Sequence, residues 1–168
     1  MSRAALDTML QALDAAYRTD RYQGLLGNLS DVRDDEWDTR PANHSADVFG
    51  TVPELSIADI VRHVAAAKLM YANHAFGDAS LDWPSTAPPS ADRAEIMSWL
   101  DAAHTAFVDT VAALDNDAEL DVERPIHTGR LLPTKHLLTI IINHDLYHSG
   151  EINRQRALIR GASAWDRP

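Results

Sequence analysis

The stretch TKHLLTIIINHDLYHSGEINRQRALIR, residues 134–160, constrains the fold more than any other part of this chain. It follows Pro133 and stops at Gly161, the usual punctuation of a helix start and a helix end. A helix advances about 100° per residue, and on that wheel Leu137, Leu138, Ile140, Ile141, Ile152 and Ile159 gather on one side. A helix this long with one apolar side has to bury that side against other elements.

Three further segments carry the same period. Leu6, Met9, Leu10, Leu13, Ala16 and Tyr17 predict a first helix from about Ala4 to Tyr17 or a little beyond. The second begins at LSIADIVRHV, with Ser56 as N-cap and Asp59 completing a capping box in place of the usual glutamate. It runs to about Phe76 and stops at Gly77. The third starts near SADRAEIM, with Ser90 as the expected cap, and ends near Leu114. Its stripe is Met97, Leu100, His104, Phe107, Val108 and Val111.

The connections are long. Residues 27–55 hold DVRDDEWDTRP, with room for one short helical turn, and then a polar stretch. Residues 77–89 include DWPSTAPPS, whose prolines break any helix. Residues 115–133 are acidic at first and end in RPIHTGRLLP, which has no strong strand alternation but room for a short hairpin-like excursion. Four helices without a sheet predict an all-α four-helix bundle with long connections, and 168 residues suit a single domain over 1–168.

Composition narrows the function. The chain has no cysteine, which excludes disulfides, thiolate zinc sites and a protein thiol nucleophile. A formal charge of −10 repels phosphate backbones, so nucleic acid is not the expected partner. No apolar run approaches the roughly 20 residues of a membrane span. MSRAALDTML lacks the uninterrupted apolar core of a signal peptide, so the expected location is the cytoplasm.

On the fourth helix His144 and His148 fall inside the apolar arc, one turn apart. Imidazole is costly to bury unless its nitrogens find partners. Two stacked rings on an apolar face are therefore either two separately hydrogen-bonded core histidines or two ligands of one metal ion. On the second helix the apolar arc is Ile57, Ile60, Val64, Ala67 and Tyr71, and His63 stands at its border beside Ala67 and Met70. Read from that helix alone, His63 lines a groove half-exposed. His74 lies eleven residues further on, about 16 Å along the axis, too far to share an ion with His63. His104 competes from the third helix's stripe, where a packed core histidine is the plainer reading. His44, His127 and His136 read as surface residues.

HDLYHSGEINRQRALI, LSIADIVRHV and LSDVRDDEWDTRP together resemble the DinB/YfiT-like superfamily of metal-dependent proteins, over nearly the whole chain in element order and length. The H-x-x-x-H followed by xG[QE]I is the specific part. The resemblance implies an up-down-down-up bundle holding a divalent ion on three histidines, which by position are His63, His144 and His148. Dimers are frequent in that family, which makes a homodimer an expectation. The family includes transferases and isomerases that use bacillithiol, mycothiol or glutathione, so a low-molecular-weight thiol co-substrate is implied by analogy only.

Three neutral imidazoles leave at least one coordination position open, and an all-nitrogen set suits zinc or nickel best. With no cysteine in the chain, any thiolate comes from a co-substrate. Asp145 falls on the core-facing arc as a candidate to orient a ring or a bound water, and Glu151 flanks His148. Tyr71 and Tyr147 are candidate hydrogen-bond donors to substrate, and Trp37 and Trp83 candidate pocket walls. For each of these a surface charge or a simply packed aromatic is the plainer reading. The expected function is a metal-dependent transferase or hydrolase acting on a small molecule. The alternatives are a metal-containing stress-response or binding protein without turnover, and a bundle whose histidines are only structural.

Overall fold

The computed structural model describes residues 2–20, 22–41 and 55–162. His44, and most of the polar stretch before the second long helix, lie outside the described residues. The structure is mostly helical. Helix α1 (Ala4–Asp14) runs into a π-helical turn (Ala15–Thr19), and short helices α2 (Leu25–Leu29) and α3 (Asp34–Trp37) follow. Next come α4 (Ile57–Phe76) and α5 (Arg93–Ala112), a small hairpin of β1 (Glu123–Pro125) and β2 (Leu131–Pro133), and α6 (Thr134–Arg160). Single 3₁₀ turns at Pro84–Thr86 and Asp117–Asp121 punctuate the connections.

The helix ends follow local chemistry. Ser56 Oγ accepts from the Asp59 amide and Asp59 Oδ2 accepts from the Ser56 amide, both at 3.1 Å, so aspartate closes the capping box as anticipated. The cap of α5 is not Ser90. Asp92 takes that place, its Oδ1 accepting from the Glu95 amide at 3.1 Å, while Ser90 Oγ accepts from the Asp92 amide. An aspartate one turn ahead of Ile96 both caps the amide and sets a negative charge at the positive helix end, which serine cannot do. Gly161 closes α6 at φ 65°, the left-handed conformation that favours glycine.

The connections hold more structure than one turn. Two short helices occupy residues 25–37. RPIHTGRLL forms an antiparallel hairpin, Arg124 opposite Leu132, with Gly129 at φ 78° in its turn. Glu36 on α3 is fully buried and accepts from Arg160 Nη2 at 2.9 Å, which ties the short helices to the end of α6.

Packing divides the interior into two apolar clusters. One gathers Tyr17, Leu25, Ile60, Val64, Ile96, Leu100 and Ile152; the other gathers Leu6, Leu13, Phe107, Val111, Leu137, Leu138 and Ile141. Between them, on three helices, sit buried polar side chains: Lys68 on α4, His104 on α5 and Asp145 on α6. Lys68 Nζ donates to Asp145 Oδ2 at 2.6 Å, both side chains fully buried. The histidine pair of α6 lies at the same level, so the site opens from a polar layer through the middle of the molecule.

His104 belongs to that layer and not to the histidine cluster. Its ring stacks on Tyr17 with centroids 3.7 Å apart. Burial first, then the positive charges of Lys68 and Arg18, push it down to about 3. The unfolded chain takes up a proton at this residue near pH 6.5, and the folded chain refuses it down to about 3. His104 therefore costs nothing above pH 6.5, and stability falls as acidification crosses that window, by about 1.4 kcal/mol per pH unit in its middle. Urea unfolding at pH 6 and pH 5 should show wild type losing about that much more than His104→Leu, which has nothing there to titrate.

Candidate metal centre

Helix α4 carries His63 on the rim of its buried side, next to the fully buried Val64, and α6 carries His144 and His148 one turn apart on the side facing α4. Their Nε2 atoms converge. His63 Nε2 stands 3.0 Å from His144 Nε2, and His144 Nε2 stands 3.2 Å from His148 Nε2. The three donor atoms all lie within 4.8 Å of one another, the one such histidine and carboxylate cluster among the described residues.

His148 Nδ1 lies 2.7 Å from Glu151 Oε2. An ionised carboxylate only accepts, so Nδ1 carries the proton and Nε2 presents its lone pair to the cluster. His144 Nδ1 is buried and has no hydrogen-bond partner among the described residues. Burial lowers the His63 imidazole, helped by His148 and opposed by Glu151. Burial also pushes His144 down to about 3, with further contributions from His148, His63 and Lys68. Both rings are thus neutral at ordinary pH, the form that binds metal.

The donor set fits a divalent ion. Two nitrogens each about 2.1 Å from one ion stand about 3.0 Å apart at a right angle and about 3.4 Å apart at the tetrahedral angle, which brackets the two observed separations. Hydrogen bonding among neutral rings does not account for the cluster equally well. His148 offers only a lone pair at Nε2, and His144 Nε2 has at most one proton to direct toward its two neighbours. A cation among the three nitrogens would take a lone pair from each ring.

Family comparison agrees with this reading. The sequence profile of the DinB superfamily matches residues 3–152, from the start of α1 to just beyond Glu151. The chain belongs to the DinB superfamily. Metal binding is characteristic of that superfamily, and the three histidines all lie within the matched span. No curated protein and no solved structure matched the chain.

The other candidates in this DinB-superfamily chain divide. Glu151 is against His148, as described. Tyr147 sets its ring edge-on to His148 at 5.0 Å but is 68% exposed. Asp145 does not orient a ring or face the cluster, because Lys68 claims it. Tyr71 touches His127 rather than the cluster, with ring centroids 5.6 Å apart. His74 Nε2 lies 2.9 Å from the Leu81 carbonyl oxygen and holds the loop after α4. Trp37 is buried under Arg93, whose guanidinium stands 5.0 Å from the ring, whereas Trp83 lies parallel to His63 at 5.8 Å.

Two residues escaped the sequence reading. Lys68 falls at the i+7 position of the buried run Val61, Val64, Ala65, Lys68, and a lysine inside such a run is a signal that was there to read. His127 reads as a surface residue but sits half-buried in the hairpin turn, edge-on to Trp83. No pattern in its own segment announces that contact.

Proposed function

We propose that this DinB-superfamily protein binds one divalent metal ion on His63, His144 and His148 and acts as a metal-dependent transferase or hydrolase on a small molecule. The convergence of three Nε2 atoms from two helices carries the reading. Its frame is the up-down-down-up bundle of α1, α4, α5 and α6, in one domain spanning residues 1–168. The protein works in the cytoplasm as a homodimer; no described helix is long and apolar enough to cross a membrane.

Zinc or nickel suits the all-imidazole donor set. When bound, such an ion supplies Lewis acidity toward an oxygen or sulfur donor of the substrate. The chain's own residues prepare the place. Glu151 fixes the tautomer and rotation of His148, and the Trp83 ring backs His63. A low-molecular-weight thiol is the co-substrate we favour for transfer, since the chain has no thiol of its own.

Replacing Glu151 with alanine frees the His148 ring without removing a ligand. Metal affinity should fall about 10- to 100-fold, with Glu151→Gln retaining more of it than alanine. Competition against a chromogenic chelator reads this directly.

One observation favours a second reading, a metal-containing stress-response or binding protein without turnover. Asp145 is paired with Lys68 and Glu151 is engaged by His148, so neither carboxylate next to the ligands is free to move a substrate proton. The test is a panel of thiol-transfer and hydrolysis assays on zinc- and nickel-loaded protein, with His148→Ala as control. Turnover in wild type that the variant lacks establishes the enzyme. Metal bound stoichiometrically with no turnover across the panel establishes the binding protein.

A further inference from the structure

Trp83, His127 and Tyr71 come from three separate segments, and the three-histidine cluster uses none of them. Trp83 stands just before the 3₁₀ turn at Pro84–Thr86, His127 in the turn of the hairpin, and Tyr71 two turns beyond His63 on α4. The Trp83 ring lies at 15° to the His63 ring with centroids 5.8 Å apart. His127 meets Trp83 edge-on at 5.5 Å and Tyr71 edge-on at 5.6 Å. The result is a continuous aromatic wall that begins at a ligand of the candidate centre.

One feature of the wall is unspent. Trp83 is 42% exposed, a large apolar ring left in water beside the centre. A molecule with a flat apolar body would cover it. The 5.8 Å from His63 to Trp83 is within reach of a ring attached directly to a metal-binding head group.

We infer that the wall recognises the ligand's body, and that the natural ligands are small molecules carrying an aromatic or flat apolar ring next to their metal-binding group. The ring packs against Trp83, which His127 holds from the side by its edge-on contact. This inference rests on the three-histidine metal reading.

The test is isothermal titration of the zinc-loaded full chain with acetohydroxamate and benzohydroxamate. The two probes share a chelating head group and differ by a methyl against a phenyl. In wild type the phenyl compound should bind about ten-fold more tightly. Trp83→Ala should collapse that ratio toward one in the zinc-loaded protein, and His127→Ala, which removes the side contact that holds the Trp83 ring, should lower it. Equal affinities in wild type, or a ratio that survives both substitutions, overturns the wall's role and leaves the metal reading standing. A wild type that takes up no zinc, or zinc uptake undiminished in His144→Ala, overturns the metal reading and this inference with it.

Discussion

Lys68→Met should destabilise the protein by about 3–5 kcal/mol, because it leaves the Asp145 carboxylate buried without its cation. Against a typical total of about 5–15 kcal/mol, that is a large share of the stability. The geometry leaves little room for relief. Both side chains are fully buried, and Asp145 Oδ1 already lacks a hydrogen-bond partner among the described residues. Burial lowers the Lys68 ammonium and raises the Asp145 carboxyl, and each partner's charge offsets that effect in the other. Removing one partner leaves the burial and deletes the offset. Lys68 also packs over the Tyr17 ring at 5.3 Å, a contact methionine keeps in shape but not in charge.

The double variant Lys68→Met/Asp145→Val separates the pair from its packing. It removes both charges with similar volume and should recover most of the loss, since a buried ion pair is often no better than well-packed apolar side chains. Urea unfolding of the wild type, the single and the double variant measures the coupling. A single variant as stable as wild type would show that Asp145 finds another partner or opens to water. A double variant as unstable as the single would show that packing, not charge, sets the cost.

The long helices were legible because each carries its own evidence. The period of α6, its proline before and glycine after, and the Ser56–Asp59 box are local features that tertiary packing had no reason to override. The start of α5 was misplaced by two residues because SAD offers two capping side chains in sequence, and only the position of Ile96 against the core chooses between them. The histidine pair of α6 was legible for the same reason that the helix itself was. The border position of His63 was legible too; that it meets the other two comes from how α4 lies against α6, information that no single helix holds.

What stayed hidden was what depends on partners from distant segments. Asp145 looks like a helper of the histidines when only α6 is read, and only the position of Lys68 on α4 shows otherwise. His104 looks like a rival ligand until Tyr17 is seen stacked on it. His127 and Trp83 lie in connections whose composition says loop and nothing more. The hairpin and the loop after α4 bring them together over His63.

The central claim is that His63, His144 and His148 hold one metal ion in the folded chain, and a melting series with and without zinc tests it most directly. The unfolded chain cannot keep residues 63, 144 and 148 together, so zinc binds the fold and raises its stability. At free zinc about a thousand times the dissociation constant the gain is about 4 kcal/mol, or about 8–16 °C for a domain of this size. Ligation requires neutral imidazole, and burial holds His144 neutral down to about 3, so the increment should be full at pH 7. His63→Ala, His144→Ala and His148→Ala should each abolish it, and His74→Ala, whose ring holds the Leu81 carbonyl instead, should keep it. A zinc-dependent shift of equal size in wild type and His144→Ala would contradict the account.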